Sequence, residues 1–521
     1  MKKTMLLITA VLITALSNAQ TIKGKAENSF VIQDQDKLIV ANCELEGKKA
    51  TLKVTLYDEN LTVLKEYQKL LPVESGKFNI GNEFYGNLIF IWIKGKSNTY
   101  YLELTRDLQE KSFYEDKKTV PKGANEVMIS GINTDSSNID YNFDSKERTL
   151  TMLQSTQAEN GPFFKKMWSA SFSKYKNIVK WKQFVDNDNI VIDFSADEKG
   201  GMNEYLAKVD KKTGTIQYTV PVVYPNEKDA LRFQESVVLD FPFPAAAIQS
   251  RLQNRMSETG SISNKPVRDS YYDKQTKNSL LVGQFNSSNC HDYSENKKIE
   301  NYALGLIMMD KDGKVVNSNK INFPDYNVPE PKHVSFKYRT CKIVNVGKLA
   351  NGNYFITAIN EAQYHNPMGG GKGSTGEIMA PPYFDIIFGY SYYEIDSKLN
   401  VVNSNFTIEE NYAKTVGDEI NNDNAPAIKY ENVSGDGKYV VVSENNIYNY
   451  RTKTERSYKL IDASAKGKKP KELFHSDNFK EDSFRMMGKT GFDYYIFAHH
   501  IVNYFKAANS DEYEIKSITI E

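Results

Sequence analysis

Residues 205–216 read YLAKVDKKTGTI, and this stretch decides the fold. Its first half is a short, mainly apolar strand-like run that stops at Asp210. An aspartate there accepts hydrogen bonds from backbone N–H groups two residues on. The Lys-Thr-Gly that follows supplies a positive φ at little steric cost. A new strand starts at Ile216, so the unit is strand, aspartate turn, strand. It recurs at 304–316 (LGLIMMDKDGKVV), 392–402 (YYEIDSKLNVV) and 458–468 (YKLIDASAKGK), with an earlier relative at 54–63 (VTLYDENLTV). A second unit, strand, polar turn, strand, reads YYDKQTKNSLLVGQF at 271–285 and is echoed by YNFDSKERTLTML at 141–153.

Working outward, most other apolar stretches have the same character. Residues 88–94 (LIFIWIK), 189–194 (NIVIDF), 279–285 (SLLVGQF), 354–359 (YFITAI), 384–390 (FDIIFGY) and 438–443 (KYVVVS) are short, rich in β-branched and aromatic side chains, and bounded by Gly, Asn, Asp and Lys. The clearest helix expectation is 244–256, opened by Pro244, with Ile248, Leu252 and Met256 repeating at i+4. Residues 163–185 are aromatic and Lys-rich, with no decided period.

One small sheet cannot bury both of its faces, whereas sheets stacked on one another do, leaving only short edges. The expected fold is therefore all-β: a β-propeller-like closed repeat of antiparallel sheets with seven or eight irregular blades. Residues 20–521 form this domain, with a sub-boundary near 125. The alternative is a β-sandwich at 21–125 ahead of a smaller propeller. Asp210, Asp310, Asp396 and Asp462 recur at uneven intervals, which demands long inter-strand loops; 242–267, 287–299 and 365–382 offer them.

Residues 1–19 read as a cleavable secretory signal peptide. Lys2 and Lys3 precede the apolar run 5–16, and Ser17 and Ala19 put small residues at −3 and −1 of a cleavage site before Gln20. The run is shorter than the about 20 residues a membrane span needs, and no later run approaches that length. The expected destination is the periplasm, the cell surface or the medium.

The 66 basic and 66 acidic residues balance, which suggests no nucleic-acid partner. With 33 Tyr and 27 Phe the chain has material for a large core. Three cysteines, Cys43, Cys290 and Cys341, are too few for a disulfide framework; the readings are one bridge, Cys290–Cys341, or three unpaired buried thiols.

Motifs for chemistry fail on inspection. Gly371, Gly373 and Gly376 spell G-x-G-x-x-G, but Pro381, Pro382 and a strand follow where a nucleotide fold needs a helix. Gly373 stands where a phosphate loop needs Ser or Thr. The six histidines (His291, His333, His365, His475, His499 and His500) form no zinc pattern, and His499 and His500 sit on a strand, where neighbours face opposite ways. Cys290 and His291 have no orienting partner in view, and no G-x-S-x-G exists. Asp310-Lys311-Asp312-Gly313 lacks the later ligands of a calcium loop and reads as a hairpin turn. No catalytic residue, cofactor or metal ligand is expected. A pair of glycosidase carboxylates is not identifiable among so many acids.

Aromatic exposure is the remaining signal. Tyr364, His365 and Tyr383 flank the glycine loop, Lys372 is its charged tip, and Tyr392 and Tyr393 follow. Flat rings with polar edges at a loop-lined rim suit sugars or peptides, against the competing reading that such rings fill the core.

The end of the signal at Asn18-Ala19-Gln20, the unit at 271–285, and the pairing of GNYFITAINE (352–361) with YFDIIFGYSYYEID (383–396) resemble a family of uncharacterised secreted proteins of Bacteroidetes-type bacteria. The resemblance spans about residues 130–520 and implies a propeller-like fold; it carries no site residues. The expected function is an exported, non-enzymatic binding or scaffolding protein for a protein, peptide or glycan. The alternative is a secreted hydrolase of glycans or peptides on the same scaffold.

Overall fold

The computed structural model describes residues 21–25, 28–34, 36–46, 49–71, 79–85, 88–94, 99–116, 139–158, 161–198, 201–223, 268–285, 303–322, 336–365, 383–409, 427–448, 453–476, 491–497, 500–506 and 512–519. The expected signal peptide and the expected helix at 244–256 lie outside them. All regular structure among the described residues is strand.

The chain divides into two compact units, Met1–Ser173 with Glu481–Glu521, and Lys174–Lys480. The first unit opens with β1 (Thr21–Lys25). One four-stranded sheet follows: β2 (Ser29–Asp34), β3 (Lys37–Glu46), β4 (Lys49–Tyr57) and β5 (Val63–Leu71). A second contains β6 (Asn79–Tyr85), β7 (Leu88–Lys94), β8 (Thr99–Thr105) and β9 (Glu110–Asp116). A three-stranded sheet is built from β10 (Ile139–Asp144), β11 (Thr149–Ala158) and β12 (Gly161–Ser171).

The second unit holds four sheets of four. The first is β13 (Lys176–Val185), β14 (Asn189–Glu198), β15 (Gly201–Asp210) and β16 (Ile216–Pro221). The next is β17 (Arg268–Asp273), β18 (Asn278–Phe285), β19 (Ala303–Met309) and β20 (Val315–Asn322). The third is β21 (Phe336–Lys348), β22 (Tyr354–His365), β23 (Tyr383–Ile395) and β24 (Val401–Ile408). The last is β25 (Ala427–Val433), β26 (Tyr439–Tyr448), β27 (Lys453–Asp462) and β28 (Lys471–Ser476). The chain then returns to the first unit as β29 (Gly491–Ile496), β30 (His500–Lys506) and β31 (Glu512–Thr519), and β1 pairs antiparallel with β31 to complete their sheet. The fold class is thus the expected one, all-β, with eight antiparallel sheets as the blades of an eight-bladed β-propeller.

Apart from the sheet that β1 completes, each sheet is a meander, and continuous apolar runs in its inner strands, such as Leu280–Val282, give it two faces to cover. Ile39, Leu52 and Val54 of one sheet share a core with Ile91, Leu102 and Leu104 of the next. In the second unit, Leu206 meets Leu281 and Ile307, Leu280 and Leu306 meet Ile356 and Tyr393, and Tyr392 meets Val440 and Ile461. Successive sheets therefore bury opposite faces of the same strands. At roughly 1.5–3 kcal/mol for each large side chain fully buried, this repeated contact is the main stabilising term.

The aspartate turns all join the third strand of a sheet to the fourth. Asp210 Oδ1 accepts from the N–H of Lys212 (3.0 Å) and Thr213 (2.8 Å), and Asp310 Oδ1 from Asp312 and Lys314 (both 2.9 Å). Asp396 Oδ1 accepts from Lys398 (2.9 Å) and Asn400 (2.8 Å), and Asp58 Oδ1 from Asn60 (2.9 Å) and Thr62 (2.7 Å). Gly214, Gly313 and Gly467 supply the positive φ as expected. Three turns differ: Leu61 (φ 63°), Leu108 (φ 58°) and Leu399 (φ 65°) occupy the left-handed region. All three leucine side chains are buried, and that burial offsets a strain of about 1–2 kcal/mol. The turn between β8 and β9 uses Thr105 in place of aspartate, its Oγ1 accepting from the N–H of Gln109 at 3.0 Å.

Candidate functional site

The meander separates two ends in the second unit. First-to-second and third-to-fourth strand connections are tight turns at one end; the other two kinds, including 224–267, 286–302, 366–382 and 410–426, leave from the opposite end. These insertions explain the uneven spacing of the turn aspartates.

At the turn end, two aspartates lock one sheet to the next. Asp186 follows β13, and its Oδ1 accepts from the N–H of Asp188 (2.8 Å) and Asn189 (2.7 Å). Its Oδ2 accepts from Tyr272 Oη (2.5 Å) and Lys277 Nζ (3.0 Å), both on the next sheet's hairpin. Asp273, which ends β17, repeats the arrangement. Its Oδ1 accepts from Gln275 N–H (2.9 Å), and its Oδ2 from Lys348 Nζ (2.7 Å) and Tyr354 Oη (3.3 Å) of the sheet after. Both carboxylates are buried. Burial alone would raise their pKa, but the hydrogen bonds, led by Tyr272 for Asp186 and by Lys348 for Asp273, hold both below the ordinary carboxylate value. Burial, followed by the Asp273 charge, pushes Tyr354 up to about 12.

A second cluster joins β13 and β14 to β17. Lys182 Nζ donates to Asp269 Oδ1 (2.6 Å) and to the Ser270 carbonyl (2.7 Å), and Ser270 Oγ donates to Asp193 Oδ2 (2.6 Å). Ser270 is 1% exposed, so its hydroxyl holds sheets together and is out of reach of a substrate. Acid, base and hydroxyl are all present here, and each is engaged in joining strands.

Between these sheets the turn end opens into a cleft of about 560 Å³, lined by Phe184, Tyr271, Lys274, Gln275, Lys348 and the Leu349–Gly352 turn among others. Asp273 is its one carboxylate among the described residues. Acid-base hydrolysis of a glycoside needs two carboxyl groups about 5–10 Å apart across the bond. This cleft presents an anchored anion and unengaged donors.

At the opposite end, β21, β22 and β23 run for 13, 12 and 13 residues, whereas β24 has 8. β24 accompanies β23 only from Gly389 onward. The five rungs from Glu361–Ile387 to His365–Tyr383 therefore extend past it by about 16 Å at roughly 3.3 Å per residue. Lys342 pairs with Glu361 at the root of this extension, and Asn360 Nδ2 donates to Ser391 Oγ at 2.7 Å.

The expected rim maps onto this extension in part. His365 and Tyr383 are the terminal cross-strand pair, and Tyr364 opposes Phe384 one rung below. Lys372 and the 371–376 glycine motif lie outside the described residues, as do His291, His333 and His499. Tyr392 and Tyr393 are not rim residues: they are 2% and 3% exposed, on opposite faces of β23, each packed into the core shared with a neighbouring sheet. Cys43 and Cys341 are buried, and burial pushes both thiols up, Cys43 to about 12. Cys290 lies outside the described residues, and with it the expected Cys290–Cys341 pairing. His500 stands 3.7 Å from Glu59, and no group of three or more metal-ligating side chains occurs among the described residues. Asp310 caps a hairpin turn, as read.

No family model matches the chain, and no curated protein matches it in sequence. Among solved structures, the WD40 domain of SCAP from fission yeast is similar over 95% of this chain and 94% of its own, at 10% identity and a TM-score of 0.35. A member of the DUF4221 family from Bacteroides vulgatus is similar over 65% and 91%, at 10% identity and a TM-score of 0.24. The figures for a putative glycoside hydrolase from Bacteroides ovatus are 66% and 87%, 11% and 0.24. Likeness at this level bears on no activity.

Proposed function

We propose that this chain is an exported, non-catalytic binding or scaffolding protein that acts in the periplasm or at the cell surface. Its recognition face lies at the sheet ends that carry the long connections. The observation that supports this reading most is the β21–β23 extension, whose last rung, His365–Tyr383, stands about 16 Å past the end of β24. Recognition surfaces on rigid scaffolds are commonly loops raised in this way. Export rests on the sequence of residues 1–19. The ligand class is a protein, a peptide or a glycan. The hydrolase alternative gains no support from the carboxylates of the second unit's turn end, since Asp186, Asp269 and Asp273 are each paired with a lysine.

The test replaces 366–382 with Asn-Gly, a two-residue turn suited to the directly opposed pair His365 and Tyr383. Pull-downs from envelope extract and a glycan array are compared for the intact and shortened chains. The expected result is a bound species captured by the intact chain and lost from the shortened one, with unchanged melting. The same bound set for both chains would remove the reading. Export is checked separately by cell fractionation and the intact mass of the isolated protein.

A further inference from the structure

The turn-end cleft is not used by the recognition face proposed above, and its hydrogen-bonding inventory is unbalanced. Asp273 already accepts from Gln275 N–H, Lys348 and Tyr354. What remains facing the cleft is a set rich in donors, with the Tyr271 hydroxyl and the Gln275 amide able to accept as well. Lys274 is exposed, and the Tyr271 hydroxyl is half-buried; neither has a hydrogen-bond partner among the described residues. The Gln275 side-chain amide and the remaining N–H groups of Lys348 complete the set. Two ammonium groups stand against one carboxylate, leaving an excess of positive charge. Phe184 and Tyr271 are only partly buried and present ring surface to the same space. At about 560 Å³ the cleft falls inside the usual range of about 300–1,000 Å³ for small-molecule sites.

We propose that this cleft binds a small ring-bearing monocarboxylate, with Lys274 and Lys348 facing the anion and Phe184 and Tyr271 facing the ring. A hexuronate and an aromatic carboxylate share that chemistry. Asp273 positions Lys348 for it, and the Leu349–Gly352 turn, held by Leu349 N–H to the Asn353 carbonyl at 2.7 Å, forms a fixed wall. Binding here is independent of the 366–382 connection. A chain shortened there retains this site, so the two proposals fail separately.

The experiment is calorimetric titration of the full chain with sodium glucuronate, sodium benzoate and glucose at constant ionic strength. One or both carboxylates are expected to saturate at one site, with glucose weaker by about tenfold or more. Glucuronate alone would assign the site to acidic sugars, and benzoate alone to aromatic carboxylates. Lys274→Glu, at an exposed position, is expected to weaken binding by about tenfold or more with unchanged melting; the exposed Lys466→Glu leaves affinity as it was. Absence of saturation by either carboxylate, equal binding of glucose, or indifference to Lys274→Glu would each overturn the proposal.

Discussion

The two ends of the second unit's sheets are built on opposite principles. At the turn end the connections are short and closely specified: Asp210, Asp310 and Asp396 cap third-to-fourth turns, Asn351 caps the β21–β22 turn, and Asp186 and Asp273 fasten one sheet to the next. At the other end β21–β23 run on past β24, and long stretches of chain leave and return. The contrast teaches where stability resides. A scaffold fastened at one end can carry variable connections at the other without loosening its core.

The largest effect should come from breaking a lock. Asp186→Ala removes the acceptor for Tyr272 and Lys277 in a buried setting and is expected to cost about 3–5 kcal/mol in chemical denaturation. A cost no greater than that of an exposed turn substitution would mean the ends do not differ as described. The same locks set an acid limit. The folded pKa values of Asp186 and Asp273 lie below the unfolded value of about 3.9, so their contribution is complete above it and is lost as pH falls below about 4. Denaturation midpoints measured from pH 6 downward should drop in that window, and less steeply in Asp273→Asn.

Next in size are the leucine turns. Leu399→Ala loses buried apolar contacts yet keeps the left-handed strain, with an expected cost of about 2–4 kcal/mol. Leu399→Gly loses the same contacts but relieves the strain, so it should cost less than alanine. The reverse order would show that φ at this position is not the issue. Gly313→Ala should cost about 1–2 kcal/mol, since φ is +76° and the added Cβ would lie 2.9 Å from Tyr218 Cε2. The smallest effect belongs to the opposite end: replacing 366–382 with Asn-Gly should change stability by about 0.5 kcal/mol or less.

Local chemistry was legible in the sequence; long-range chemistry was not. β7 spans the residues expected of it, and the five aspartate units all proved to be third-to-fourth strand turns, because strand alternation and turn capping act over a few residues. The Thr105 turn escaped because a hydroxyl does the work of the carboxylate. Leu61, Leu108 and Leu399 escaped because their conformation is held by burial, which sequence spacing does not show. Residues 163–185 had no clear period because β12 and β13 both carry register shifts that interrupt alternation. The locks were invisible for a different reason. Lys277 and Asp186 are 91 residues apart, and Lys348 and Asp273 are 75 apart, so only the folded chain brings them together. Their sole trace is the recurrence of Asp at the end of a first strand, with Lys and Tyr near the corresponding hairpin of the next sheet.

The pairing of β1 with β31 has a consequence for the order of events in the cell. The sheet formed by β29, β30 and β31 stays one strand short until residues 21–25 join it, across almost the whole length of the chain. In a polypeptide threaded through a membrane from its amino terminus, as the export proposed above has it, β1 would cross long before β31 and would have to wait for it. Under that proposal the final stitch would be made only on the far side, once β31 has followed β1 across.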